Sequence, residues 1–218
     1  MNINVNGINL FYEQTGKGRP MIFIHGNMAD HHTFDTLVKP LEEVYCCYLI
    51  DSRNHGESSK NVAFDYEEMA NDIYGFITQL KLKKPIIIGF SDGAIIGMIL
   101  AYKYPDIIGK LLAAGGNLNP EGLKIKYQRL LVKICNEEEN PFLKLMKDQP
   151  HITVKNLSKI TCPTLVLAGQ NDLIKRSETI MIHKGIQQSK LMIIKAHTHE
   201  SYIYDTDYLK DIILEFAL

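Results

Sequence analysis

The chain has 218 residues, 45% of them hydrophobic and 22% charged, and its 24 basic and 25 acidic side chains leave a formal net charge of -1. That length suits a single α/β domain over residues 1–218, and the balanced charge offers no global field to draw in nucleic acid or an acidic membrane. Met1 to Gly7 lacks the basic and apolar regions of a signal peptide, and no apolar run reaches the roughly 18 residues that a membrane helix needs.

Asn6-Gly7 separates the first two strand-like runs, Ile3–Val5 and Ile8–Gln14, and signals a hairpin. After a Gly/Pro break at Gly16–Pro20 comes Met21–Ile24, an apolar run without polar alternation, as expected of a strand covered on both faces. Val44–Ile50 is of the same kind and holds Cys46 and Cys47, which should point to opposite faces. With Cys135 and Cys162 they are too few and scattered for a disulfide framework, so reduced thiols in a cytoplasmic protein are expected. From Asp65 to Leu80, Met69, Ile73, Phe76, Ile77 and Leu80 recur at helical spacing behind a capped start. Strands follow at Pro85–Ile88 and Lys110–Ala114, with an apolar helix, Ala94–Ala101, between them.

The rhythm then breaks. Gly115-Gly116 and a loop at Asn117–Pro120 lead into two helical patterns, Leu123–Ile134 and Phe142–Met146, and strand structure resumes only after Cys162-Pro163. Residues 117–158 are therefore read as a small helical cap over a pocket. Strands at Thr164–Ala168 and Leu191–Ile194 and a helix from Asp205 to Phe216 complete the pattern. It is that of an α/β fold with a mostly parallel, eight-stranded sheet and helices on both faces.

Gly89-Phe90-Ser91-Asp92-Gly93 lies between an apolar strand and an apolar helix, the context in which Gly-x-Ser-x-Gly marks a nucleophile. A tight strand-to-helix turn lifts the Ser91 hydroxyl above the sheet edge, with the helix N-terminus beneath it. A serine needs a base, and the base needs a carboxylate to orient it. Asp172, just past Thr164–Ala168, projects from the same sheet end; Glu121 is a weaker substitute. Beyond the last strand stand His197 and His199. His199 is preferred because it sits where the chain can swing back over the sheet, while His197 reads as a neighbouring or surface residue. No further ligands accompany this His-x-His pair, so no metal is expected. His25-Gly26-Asn27 follows Met21–Ile24 beside the elbow. The backbone N–H groups of Asn27 and Asp92 are the candidate oxyanion donors, with His25 structural. Asp51 and Arg53, in the polar turn Asp51–Ser58, should tie loops together. His31 and His32 are read as helix-capping or solvent-facing, and Tyr102 and Tyr104 as packing residues.

Together, His25–Asn27, Asp51–Ser58, Gly89–Gly93, Asp172 and His199 resemble the α/β-hydrolase superfamily over nearly the whole chain. The elbow, with Ala101–Pro105 after it, is similar to the branch of small carboxylesterases and valacyclovir hydrolase (biphenyl hydrolase-like) proteins. That resemblance implies hydrolysis of a small-molecule carboxylic ester without a cofactor. Two departures stand out. Asn54 replaces the usual glycine of the Asp-x-Arg-Gly turn, a position that asparagine tolerates at positive φ. The cap is also short for the superfamily. The same residues would serve a C–C bond, a lactone or an amide, and a non-catalytic ligand receptor on this fold is the reading from another class.

Overall fold

The computed structural model describes Met1 to Leu218. Strands β1 (Asn2–Val5), β2 (Ile8–Thr15), β3 (Arg19–Ile24), β4 (Tyr45–Ile50), β5 (Ile86–Phe90), β6 (Lys110–Ala114), β7 (Thr164–Gly169) and β8 (Ser189–Ile194) form one sheet in the order β1-β2-β4-β3-β5-β6-β7-β8. β2 runs antiparallel to both its neighbours and the remaining pairs are parallel. Asn6 at φ 47° and Gly7 at φ 76° make the tight turn that joins the first two strands.

Helices α1 (Asp35–Val38), α2 (Tyr66–Gln79), α3 (Asp92–Lys103), α4 (Ile125–Glu137), α5 (Pro141–Asp148), α6 (Val154–Leu157), α7 (Arg176–Gly185) and α8 (Lys210–Ala217) connect or flank the strands. Strand alternation divides the apolar side chains between two cores. Ile22 and Ile24 of β3 join α2 and α3 on one face, while Met21 and Phe23 meet Phe34, Leu37 and the α8 residues Ile213 and Ala217 on the other. Cys46 and Cys47 follow the same rule, one in each core. Asp65 caps α2 by accepting the Glu68 N–H at 2.8 Å.

The chain differs from expectation in the second half. The sequence pattern does not mark α7, because its buried face is Glu178, Thr179 and Ile182 and carries too little apolar periodicity to read. The last helix begins at Lys210 rather than near Asp205, since Asp205 stands at φ 53°, outside the right-handed helical region. Between β6 and β7 the chain forms a short 3-10 turn (Pro120–Gly122) followed by α4, α5 and α6. Asn140 caps α5 through the N–H groups of Phe142 and Leu143. Of α4 only Leu131 is buried, and an all-apolar cavity of about 150 Å³ opens between α4 and α5, edged by Leu173. No helix is long and apolar enough to cross a membrane.

Candidate active site

Ser91 connects β5 to α3 at φ 54° and ψ -113°, so the turn holds it in a conformation that side-chain-bearing residues rarely adopt. Its N–H donates to the Ala114 carbonyl at 2.8 Å, and its own carbonyl accepts from Ala94 at 2.9 Å, which fixes the turn from both sides. A Cβ on Gly93 would overlap the Ile24 carbonyl, so only glycine lets α3 begin this close to β3.

His199 and Asp172 reach the serine from two loops at the same sheet end. His199 Nε2 lies 3.0 Å from Ser91 Oγ, and its Nδ1 lies 2.7 Å from Asp172 Oδ1. The Ile174 N–H also donates to Asp172 Oδ1, at 2.9 Å, while Oδ2 accepts only a longer bond, 3.3 Å, from Gly169. Both side chains are buried. The arrangement can take the hydroxyl proton onto Nε2 while the carboxylate holds the imidazole and its new charge. His197 is elsewhere: its Nδ1 lies 3.0 Å from Ser201 Oγ and its ring packs against Tyr208. Glu121 sits in the 3-10 turn after β6, and its backbone carbonyl accepts from Lys175.

The His25–Asn27 loop lies against the elbow, where a Cβ on Gly26 would come within 3.2 Å of Ser91 Cβ. The backbone N–H groups of Asn27 and Asp92 have no acceptor within the protein and are free to serve an oxyanion. Two buried histidines hold this loop. His25 donates from Nδ1 to the Gly26 carbonyl at 2.7 Å and accepts the Ser52 N–H on Nε2 at 3.1 Å. His55 donates from Nδ1 to the Arg53 carbonyl and accepts the Met28 N–H on Nε2 at 3.2 Å. Accepting on one nitrogen requires the neutral ring in each case, and burial lowers both, His55 to about 4. The turn after β4 is as tightly tied. Asp51 accepts from the backbone and ring of His31 and from the Glu57 N–H, and Arg53 grips buried Asp72 with two bonds of 2.7 Å. His31 is therefore buried and paired, contrary to its reading as a capping or solvent-facing residue; only His32 is exposed. Asn54 takes up φ 65°.

Three features at the site carry no sequence signal. Asn27 donates its side-chain amide to the Phe142 carbonyl at 3.0 Å, joining α5 to the His25–Asn27 loop. The Asp92 carboxyl is buried, accepts the Tyr66 hydroxyl at 2.9 Å on one oxygen and leaves the other unpartnered. Burial pushes it up to about 7, against the pull of the Tyr66 bond and of His199. Gly115, at φ 66°, passes under His199, where a Cβ would stand 2.7 Å from the imidazole Cε1. Gly115→Ala is accordingly expected to tilt the ring off Ser91 and to lower kcat for an activated ester by about 10²-fold. An alanine variant with unchanged turnover would show that the ring does not depend on this contact.

A sequence model described as the alpha/beta hydrolase fold matches residues 19–132, just over half of the chain. The chain belongs to the α/β-hydrolase family. Over 98% of its length this α/β hydrolase is 25% identical to the serine hydrolase BPHL of Homo sapiens, of which it spans 84%. It is 28% identical to ethanol acetyltransferase 1 of Hanseniaspora uvarum, over 56% of the chain and 37% of that longer protein. A thermophilic esterase from Thermogutta terrifontis superposes with a TM-score of 0.81 at 22% identity, covering 100% of this α/β hydrolase and 98% of the esterase.

Proposed function

We propose that this α/β hydrolase is a serine esterase that cleaves small carboxylic esters through an acyl-enzyme. The observation that carries the reading is the unbroken chain Ser91 Oγ to His199 Nε2, 3.0 Å, and His199 Nδ1 to Asp172 Oδ1, 2.7 Å. In the first step Ser91 Oγ bonds to the acyl carbon and its proton passes to Nε2. The Asn27 and Asp92 N–H groups hold the oxyanion, and as the intermediate collapses the imidazolium protonates the departing alkoxide. In the second, water attacks the acyl-enzyme with His199 again as base and the acid leaves. Asp172 keeps the proton on Nδ1 and stabilises the imidazolium.

The relatives fit this reading: one is named a serine hydrolase and the other an ethanol acetyltransferase. Four free cysteines fit a reducing, cytoplasmic setting. A fluorophosphonate probe is expected to label the protein to one equivalent, with the adduct on the peptide that contains Ser91. A folded chain that never labels would discard the enzyme reading in favour of a ligand receptor.

A further inference from the structure

Tyr202 packs its ring completely into the core below the His199 loop, three residues after the histidine. Its hydroxyl is buried and has no hydrogen-bond partner. That is an unusual state for a phenol, since a buried donor without an acceptor has given up its water hydrogen bonds for nothing. The hydroxyl ends beside the site: a Cβ placed on Gly115 would lie 3.2 Å from Tyr202 Oη and 3.0 Å from His199 Nδ1. The nearby group with unused accepting capacity is Asp172, whose Oδ2 receives only the 3.3 Å bond from Gly169. Asp172 is also the charged group whose field reaches the phenol and, with burial, holds its proton on.

We propose that Tyr202 is a positioning residue, donating its hydroxyl to Oδ2 of Asp172 in the working enzyme and so setting how strongly that carboxylate draws a proton onto His199. The inference rests on the esterase reading only for its kinetic readout. A donor on Oδ2 disperses the negative charge of Asp172, which makes the neighbouring imidazolium less stable and lowers the pH at which His199 becomes a neutral base. Removing the donor does the reverse, and the other titratable group whose field reaches His199, the buried Asp92 carboxyl, is the same in both proteins.

Tyr202→Phe keeps the ring and removes only the hydroxyl. The acid limb of the kcat/KM profile is expected to move to higher pH by about half a unit or more, a loss of roughly threefold in the acidic range. Incorporating 3-fluorotyrosine at position 202, a stronger donor of the same shape, is expected to move it the other way. The same midpoints are read without turnover from NMR titration of the His199 ring protons. Failure of the ester assignment, which shows as loss of hydrolysis in the unmodified enzyme, therefore leaves this test intact. A purely structural Tyr202 would change thermal stability but leave the midpoint fixed in both variants, and that result overturns the proposal.

Discussion

Ser91→Ala is expected to lower kcat for p-nitrophenyl acetate by at least about 10³-fold while the melting temperature stays close to that of the unaltered protein. The size of the loss follows from what the hydroxyl does in the proposed mechanism. Without Oγ no acyl-enzyme forms, and what is left is attack by water in a pocket whose oxyanion donors and base remain in place. The small effect on the fold follows from where the constraint lies. The turn is held by backbone bonds from Ser91 to Ala114 and Ala94 and by the close approach at Gly93, none of which involves the hydroxyl. Alanine meets the same strained φ of 54° as serine does. Steady-state turnover together with a melting curve checks both halves, and near-wild-type hydrolysis by the folded variant would remove Ser91 from the chemistry.

Asp92→Asn is expected to stabilise the protein, and to do so increasingly as pH rises. The carboxyl is fully enclosed and has one unpartnered oxygen, and burial raises it from 3.8 to about 7. Below 3.8 both folded and unfolded chains hold the proton and the group is neutral in its effect. Between 3.8 and about 7 the unfolded chain has lost the proton while the folded chain retains it, so stability falls as pH rises. Above about 7 both states are ionised and the full cost of about 4 kcal/mol is present. Asparagine keeps the acceptor for the Tyr66 hydroxyl without the charge. The melting temperature of the variant should therefore match that of the parent near pH 4 and exceed it by on the order of 10 °C at pH 8. A second consequence is kinetic. The N–H of Asp92 is one of the proposed oxyanion donors, so ionising its own carboxyl places negative charge beside the developing oxyanion. Activity of the parent should fall as pH passes about 7, and the variant should keep its activity there. A difference in melting temperature that does not vary with pH would show that the carboxyl ionises normally in the folded chain.

Much of this site is legible in the sequence because its parts sit where secondary structure changes. Ser91, Asp172 and His199 each follow a strand whose apolar run is unmistakable, and a parallel sheet brings the carboxyl ends of its strands to one edge. What stays hidden depends on contacts distant in sequence. His197 and His199 carry nearly the same local sequence, and it is the His199 ring that the loop turns over Gly115, 3.0 Å from Ser91 Oγ. His31 looks like a surface residue until Asp51 is seen to accept from it. Phe142 looks like a generic helix start, and its link to Asn27 spans 115 positions. α7 lacks a readable apolar stripe because two of its three buried residues are polar, with Glu178 buried to receive the Leu118 N–H. The side-chain environment of Asp92 is likewise made by Tyr66, 26 residues away.

The order of the parts along the chain has a consequence for how the protein is made. Ser91 and His199, its proposed base, are separated by 108 residues. A ribosome therefore delivers the nucleophile elbow long before β7, β8 and the loop that carries His199. Throughout that interval the growing polypeptide holds a serine with no partner to take its proton, chemically as dull as any other hydroxyl. The proposed mechanism requires that last strand to be laid against the sheet before Ser91 has a base. On the proposed mechanism, the segment beyond the outermost strand at that edge supplies the last part of the site, and a chain that stopped before it would lack the base.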